Sequence, residues 1–421
     1  MELVDAPHSK CGTFGFVGSS PTAPTCLMDT YKRIPISLVK GKGCWVWDEK
    51  GKKYLDAVAG IATCTLGHSN KKLFNALKKQ LNKIQHVSNL YIIPEQKELA
   101  NWLVKKSCAD KVFFCNSGAE ANEAAIKLAR KYANKVKGIK KPIILSSKSS
   151  FHGRTIASLS ATGQEKYRAG FGPLLEGFEF FEYNDINSFN SLINSLNTLN
   201  KEVCAVLIEP IQGEGGIKPG DKMFFKQLRD FCSENKILLI IDEVQAGMGR
   251  TGQLWGYENL GIEPDAFTVA KGLGGGHAIG ALLVKNEFNI FEAGDHASTF
   301  GGNPFACKAA ITIAQELERQ NILSSVIERG NQLKIGLKEI IEEFPNIFKE
   351  ARGYGLIQGL EIREDAGMMS SIIIKEALSN GLLIASAGNY VVRIVPPLII
   401  SKKEINELIS RLRISIIGLN G

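Results

Sequence analysis

No apolar run in the 421-residue sequence approaches the roughly 20 residues that a membrane-spanning helix requires; the longest purely aliphatic stretch is Ile237-Leu238-Leu239-Ile240-Ile241. Cysteine occurs nine times but never as Cys-x-x-Cys, which argues against a disulfide framework and for a reduced compartment, the cytoplasm. The six histidines lack metal-ligand spacing, so no metal is expected. A G-x-x-x-x-G-K-[ST] loop is missing as well, which removes the phosphate-loop ATPase that the apolar strand ending at Asp242-Glu243 would otherwise suggest. Charge of one sign is nowhere dominant: 51 basic and 43 acidic residues give a net +8 spread along the chain, densest at 71–83 and 127–141. Solvated helix faces account for those runs better than nucleic acid does, while a mild positive field favours anionic small molecules. What remains, 44% hydrophobic and 22% charged, is the composition of a soluble globular chain with a large core and two domains.

Residues 1–27 differ from the rest. They are rich in Gly, Ser, Thr and Pro without apolar periodicity, and a disordered tail is expected there. One Lys, no Arg and no amphipathic pattern make an organelle-targeting segment the weaker reading, and Met28 is an alternative start. From Tyr31 onward the patterning is structured: two short strands around a turn in 43–56, then a basic amphipathic helix over 73–84. Apolar strands follow at 112–115, 142–146, 203–208, 237–242, 265–270 and 278–284, with helices between several of them, notably 119–134 and 222–235. That alternation predicts an α/β fold with a largely parallel sheet and ligands at the carboxyl ends of its strands. Beyond 306 helical periodicity dominates, at 306–319, 323–344, 370–380 and 402–416, with one strand-like interlude at 390–395. The expected division is a segment 28–74 packing with the small domain, a large domain 75–305 and a small domain 306–421.

Three stretches carry chemistry. Asp265 to Gly276 delivers Lys271 from a strand into a turn with four glycines within five residues, a place where backbone can approach a ligand. A lysine there serves as a Schiff-base amine or is an ordinary strand-end surface lysine; the stretch alone leaves both open. Asp242 ends the most apolar strand, and a buried carboxylate needs a partner. Cys115 to Glu120 joins a strand to a helix through a capping Asn/Ser and a glycine, which either caps the helix or also cradles a phosphate. Gly247 to Gly252 matches G-x-G-x-x-G, but no helix pattern follows it, so a dinucleotide site is not expected. Pyridoxal phosphate needs a Schiff-base lysine, a carboxylate for its pyridine nitrogen and a phosphate cup, and Lys271, Asp242 and Ser117-Gly118-Ala119 supply one each.

Taken together, Asn116-Ser117-Gly118-Ala119-Glu120-Ala121-Asn122-Glu123, Phe151-His152-Gly153-Arg154-Thr155, Glu209-Pro210-Ile211-Gln212-Gly213-Glu214-Gly215-Gly216, Asp242-Glu243-Val244-Gln245, Ala270-Lys271-Gly272 and Ser298 to Pro304 resemble, in order and spacing, the class III pyridoxal-phosphate aminotransferases. The resemblance runs from Met28 to the carboxyl end. It implies the fold-type-I architecture, a mostly parallel seven-stranded sheet flanked by helices plus a smaller α+β domain, and a homodimer with shared sites. It also implies roles: Lys271 and Asp242 catalytic; Ser117, Gly118 and Ala119 at the phosphate; Phe151 stacked on the ring with His152 beside it; Gln245 at the ring hydroxyl; Thr299 reaching the phosphate from the partner subunit.

Arg154 and Arg393 are each either structural ion pairs or carboxylate grips. The resemblance makes Arg154 the grip for the carboxylate far from the reacting amine and Arg393 the grip for the α-carboxylate of glutamate or 2-oxoglutarate, with Glu214 as the residue that covers Arg393 in between. Ile61 stands where ornithine-specific relatives usually carry tyrosine. The reaction so implied passes the terminal amine of N-acetylornithine to 2-oxoglutarate, toward arginine synthesis. Ornithine, 4-aminobutyrate or succinylornithine as donor is the alternative, and an aminomutase, a decarboxylase or a non-catalytic nucleotide-binding module is a weaker one. Three places depart from the family pattern: Gly67-His68-Ser69-Asn70, Cys64 and His277-Ala278.

Overall fold

The structure is a computed structural model describing residues 26–420, so the expected tail over 1–27 lies outside the described residues except for Cys26 and Leu27. Its centre is a seven-stranded sheet in the order Lys111–Cys115, Gly280–Val284, Ala266–Val269, Leu238–Asp242, Val203–Ile208, Ile143–Ser147, Phe178–Phe181. Gly280–Val284 runs antiparallel to both neighbours, and the remaining pairings are parallel. Leu238–Asp242 and Val203–Ile208 are continuous apolar runs because helices cover both faces of the sheet. Successive side chains point to opposite faces. Leu238 and Ile240 pack with Ala125, Leu128 and Ala129 of the helix Gly118–Lys135, whereas Leu239 and Ile241 join Phe225 and Leu228 of the helix Lys222–Glu234.

This topology places Cys115, Ser147, Ile208, Asp242 and Val269 at one edge, where the antiparallel strand also begins, Gly280 lying opposite Cys115. Each chain leaving that edge turns across the same space.

Two four-stranded sheets lie outside, besides a two-stranded pairing of Ile211–Gln212 with Lys218–Pro219. Leu38–Lys42, Trp45–Asp48 and Lys53–Asp56 are joined by Leu382–Leu383, so the amino-terminal segment pairs with carboxyl-terminal chain. Phe348–Tyr354, Ile357–Ile362, Val391–Ile394 and Ala385–Ser386 form the other, packed against Ile322–Glu343 and Ser370–Ser379. The hairpin of Phe348–Tyr354 with Ile357–Ile362 corrects the expectation of helix through most of this region. Its first strand is half exposed and carries Lys349, Glu350 and Arg352, so it lacks the apolar signature of a strand. Helices Pro94–Lys105 and Ile186–Thr198 were not expected either. The first does carry Pro94 at its start and Glu95 in its first turn, and the second is capped by Asp185, but its Asn/Ser content disguises it. Gly247 to Gly252 is a series of turns, as its sequence context implied. Its Arg250 is buried and donates to the carbonyls of Leu356 and Pro396, tying the large sheet's loops to the outer one.

Candidate active site

At the carboxyl edge of the sheet lies a cavity of about 480 Å³ lined by Ser117, Gly118, Ala119, Asn122, Phe151, His152, Arg154, Glu209, Asp242, Gln245 and Lys271, among others. Lys271 follows the strand Ala266–Val269 and opens a short 3₁₀ turn with φ +36°, a conformation that a non-glycine residue adopts only when its surroundings hold it. Thr65 Oγ1 donates to the carbonyl of Gly272 at 2.8 Å and pins that turn. The Lys271 amine has no hydrogen bond or ion pair among the described residues. Burial holds its pKa below the usual lysine range, with Arg393 pushing the same way against the pull of Glu214. Such an amine is available as a nucleophile or base.

Asp242 is 5% exposed and its carboxylate is held by three donors. Val244 N donates to Oδ1 at 3.0 Å, and Asn122 Nδ2 and His152 Nδ1 lie 2.7 and 2.8 Å from Oδ2. With the proton on Nδ1, His152 Nε2 accepts from Ser146 Oγ at 3.1 Å. The phosphate-cup turn is built as its sequence suggests: Ser117 caps Gly118–Lys135 by accepting from Glu120 N, and Glu120 reaches back to Asn116 N. A helix's first amides have no intrahelical partner, which leaves those of Gly118 and Ala119 for an anion. Gly118 is required by packing, since a Cβ there would lie 2.6 Å from Val244 Cγ1.

Phe151 borders the cavity half-buried, its amide donating to Glu209 Oε2 at 3.1 Å. Glu209 also accepts from Gly213 N at 3.2 Å, and burial, reinforced by Asp242, pushes its pKa well up. Arg154 lies over Tyr167 at 4.1 Å and over Phe151 at 5.4 Å, and it forms no ion pair among the described residues. For Arg393 the ion pair does exist: 3% exposed, it pairs with Glu214 through Nη1, which also donates to Gln245 Oε1 at 3.3 Å. Its Nε is buried without a partner among the described residues. Burial raises the Glu214 carboxyl, but Arg393 and Lys271 outweigh it and the net pKa is lowered.

Not every expected residue lies at the cavity. Thr299 is exposed and outside it, Ile61 sits in a strained turn at φ +62° without lining it, and Arg393 and Glu214 stand behind the lining, close enough for their charges to act on Lys271. The three departures have structural places. Asn70 caps Lys71–Leu81, His68 pairs with Asp56 at 2.7 Å, and Cys64 is half-buried. His277 does line the cavity, and burial pushes its pKa down. Two contributors had no role from sequence, Asn122 and Glu209. Both sit inside the quoted motifs, and the available signal was a polar residue on the apolar face of a helix and one at the end of an apolar strand.

Comparison with known proteins is consistent in every direction. The family model of the class-III aminotransferases matches residues 27–416. A protein of Prochlorococcus marinus named acetylornithine aminotransferase is 65% identical, covering 99% of this chain and 100% of its own length. Among solved structures, the N-acetylornithine aminotransferase of Stenotrophomonas maltophilia is similar with a TM-score of 0.80 at 37% identity, covering 92% of this chain and 97% of that one. The ornithine aminotransferase of Toxoplasma gondii matches with a TM-score of 0.88 at 30% identity, covering 94% and 93%.

Proposed function

Because the chain belongs to the class-III aminotransferases, which depend on pyridoxal phosphate, we propose that it exchanges the terminal amine of N2-acetyl-L-ornithine with 2-oxoglutarate, reversibly, in arginine biosynthesis. The observation that carries the class of donor, an amine with no carboxylate beside it, is Arg393 buried beside Lys271 and covered by Glu214. Acetylornithine brings an amine with no carboxylate next to it, so the guanidinium must be neutralised by the protein. Glutamate brings its own α-carboxylate, for which Glu214 must give way.

The residues present fit pyridoxal phosphate: a half-buried amine with no partner among the described residues, a carboxylate fixed by three donors and a helix start whose first amides need an acceptor. When bound, the cofactor supplies an aldehyde for amines and a ring that draws electrons from the amine-bearing carbon. Asp242, backed by His152, would hold the pyridine nitrogen, Gln245 the ring hydroxyl, Phe151 the ring face, and Ser117, Gly118 and Ala119 the phosphate. Lys271 would take the proton from the amine-bearing carbon and deliver it to the carbon on the far side of the transferred nitrogen. Arg154, free of any protein anion among the described residues, would grip the far carboxylate of acetylornithine; Ile61, outside the cavity's lining in one chain, is proposed for the substrate site on the resemblance alone.

Thr299 would complete the phosphate site of a second copy, making the enzyme a homodimer with shared sites. Its exposure suits this, as does the apolar surface of Leu90, Tyr91, Ile92 and Phe300 around it in the fold's outer loops. The cytoplasm is the proposed location, supported by eight free cysteines among the described residues. No helix among the described residues is long and apolar enough to cross a membrane. We also propose the domain division given by the sequence, with 28–74 serving the small domain.

A sibling that prefers ornithine, succinylornithine or 4-aminobutyrate is the other reading; 65% identity against 30% favours the first. Initial rates with these four donors and 2-oxoglutarate decide it: acetylornithine should lead, and a lead by ornithine or 4-aminobutyrate would overturn the proposal.

A further inference from the structure

We propose that Asn122 is a positioning residue that locks together the four pieces of the cofactor site and aims the carboxylate of Asp242. This rests on the pyridoxal-phosphate reading above.

Asn122 lies one helical turn after Gly118 on the helix Gly118–Lys135, between Ala121 and Ala125 on the face packed against the sheet. Asparagine is a poor helix former, and burying its carboxamide, here 1% exposed, is unfavourable unless the hydrogen bonds are replaced. All of them go to elements that carry cofactor-binding groups. Nδ2 donates to Asp242 Oδ2 and to the carbonyl of His152, both at 2.7 Å. Oδ1 accepts from Thr268 Oγ1 at 2.8 Å. Its own helix begins with the Gly118-Ala119 cup. The His152 carbonyl belongs to the loop that presents Phe151, Asp242 ends the central strand, and Thr268 precedes Lys271 by three residues on the next strand.

One planar group therefore fixes phosphate cup, ring face, pyridine partner and lysine relative to each other, and its planarity sets the direction from which Asp242 is approached. A leucine or alanine could fill the space between helix and sheet. Neither could satisfy the Thr268 hydroxyl and the His152 carbonyl, and Asp242 would lose one of the two donors that fix Oδ2, leaving its carboxylate free to turn.

The test is a double-mutant cycle read by titrating pyridoxal phosphate into apoenzyme. Asn122→Ala should raise the dissociation constant about tenfold or more, the scale of a lost hydrogen bond to a charged group. In an Asp242→Ala background the same change should raise it less than about threefold, because the group it aims is gone. The visible absorbance maximum of the bound cofactor should shift with Asn122→Ala only while Asp242 is present. Thr268→Val, which removes the outer arm alone, should show the same background dependence at smaller size and carries the comparison if Asn122→Ala fails to fold. Equal losses in both backgrounds, or none, would overturn the proposal and reduce Asn122 to packing. A wild-type protein that takes up no cofactor, or whose cofactor borohydride does not fix to Lys271, overturns the cofactor reading itself; that result is visible before any variant is made.

Discussion

At the residue scale the site depends on a few side chains kept in states they would not hold in water. Lys271 is the first. Its ordinary pKa is 10.5 and burial lowers it, so at any pH in that region more of the amine is neutral than in a free lysine. The rate at which apoenzyme captures pyridoxal phosphate should therefore rise with pH through a midpoint below 10.5; a midpoint at or above that value would contradict the shift. Lys271→Ala should leave no cofactor attached after borohydride and cut turnover by about 10³-fold, the middle of the range for a lost general base. Glu214 is the second. With Glu214→Ala, Arg393 loses its cover and attracts α-carboxylates without competition, so the glutamate half-reaction should gain on the acetylornithine one. Single-turnover rates of the two halves measure this, and equal changes in both would remove Glu214 as a gate. Lys271, Asp242 and the Ser117 turn were legible in the sequence because each ends an apolar strand or opens a helix. Asn122 and Glu209 were not, since a polar residue acquires its role only when elements distant in the chain, 120 residues apart for the helix residue Asn122 and the strand residue Asp242, are brought side by side.

At the element scale the decisive contact is between the start of Gly118–Lys135 and the turn after Leu238–Asp242. Gly118 touches Val244 so closely that any side chain must displace one of the two. Gly118→Ala should therefore lower the melting temperature of the apoenzyme by a few degrees, in line with the 1–3 kcal/mol typical of overpacking, and weaken pyridoxal phosphate by about tenfold. Val244→Ala in the same chain makes room and should restore most of the affinity; no restoration would mean that Gly118 serves its own backbone instead of the contact. The sequence disclosed these elements unevenly for a physical reason. Strands buried on both faces declare themselves as apolar runs, and the helix Gly118–Lys135 by its cap and alanine-rich face. Phe348–Tyr354 turns a charged face to solvent, and that leaves too few apolar positions to reveal its period of two.

At the scale of the whole molecule, the proposed dimer would complete the cavity of each chain with a residue of the other. The cavity's phosphate side has a helix start and Ser117, while Thr299 lies exposed outside it next to Phe300, itself 60% exposed. Leu90 and Ile92, at 88% and 89% exposure, present an apolar surface that the proposed second copy would cover. Ile92→Asp should shift the protein in sedimentation from twice the chain's mass toward a single chain, and bound cofactor should fall in parallel. The proposed composite site makes a further prediction about mixtures. Lys271→Ala and Thr299→Ala chains are each impaired alone, but if Thr299 serves the other copy, a mixed dimer gathers both lesions into one site and leaves the second site intact. Random reassortment would then restore roughly a quarter of wild-type activity, since half the dimers are mixed and each has one good site. If Thr299 served its own chain, each site of the mixed dimer would carry one lesion, and mixing would give only the average of the two parent variants.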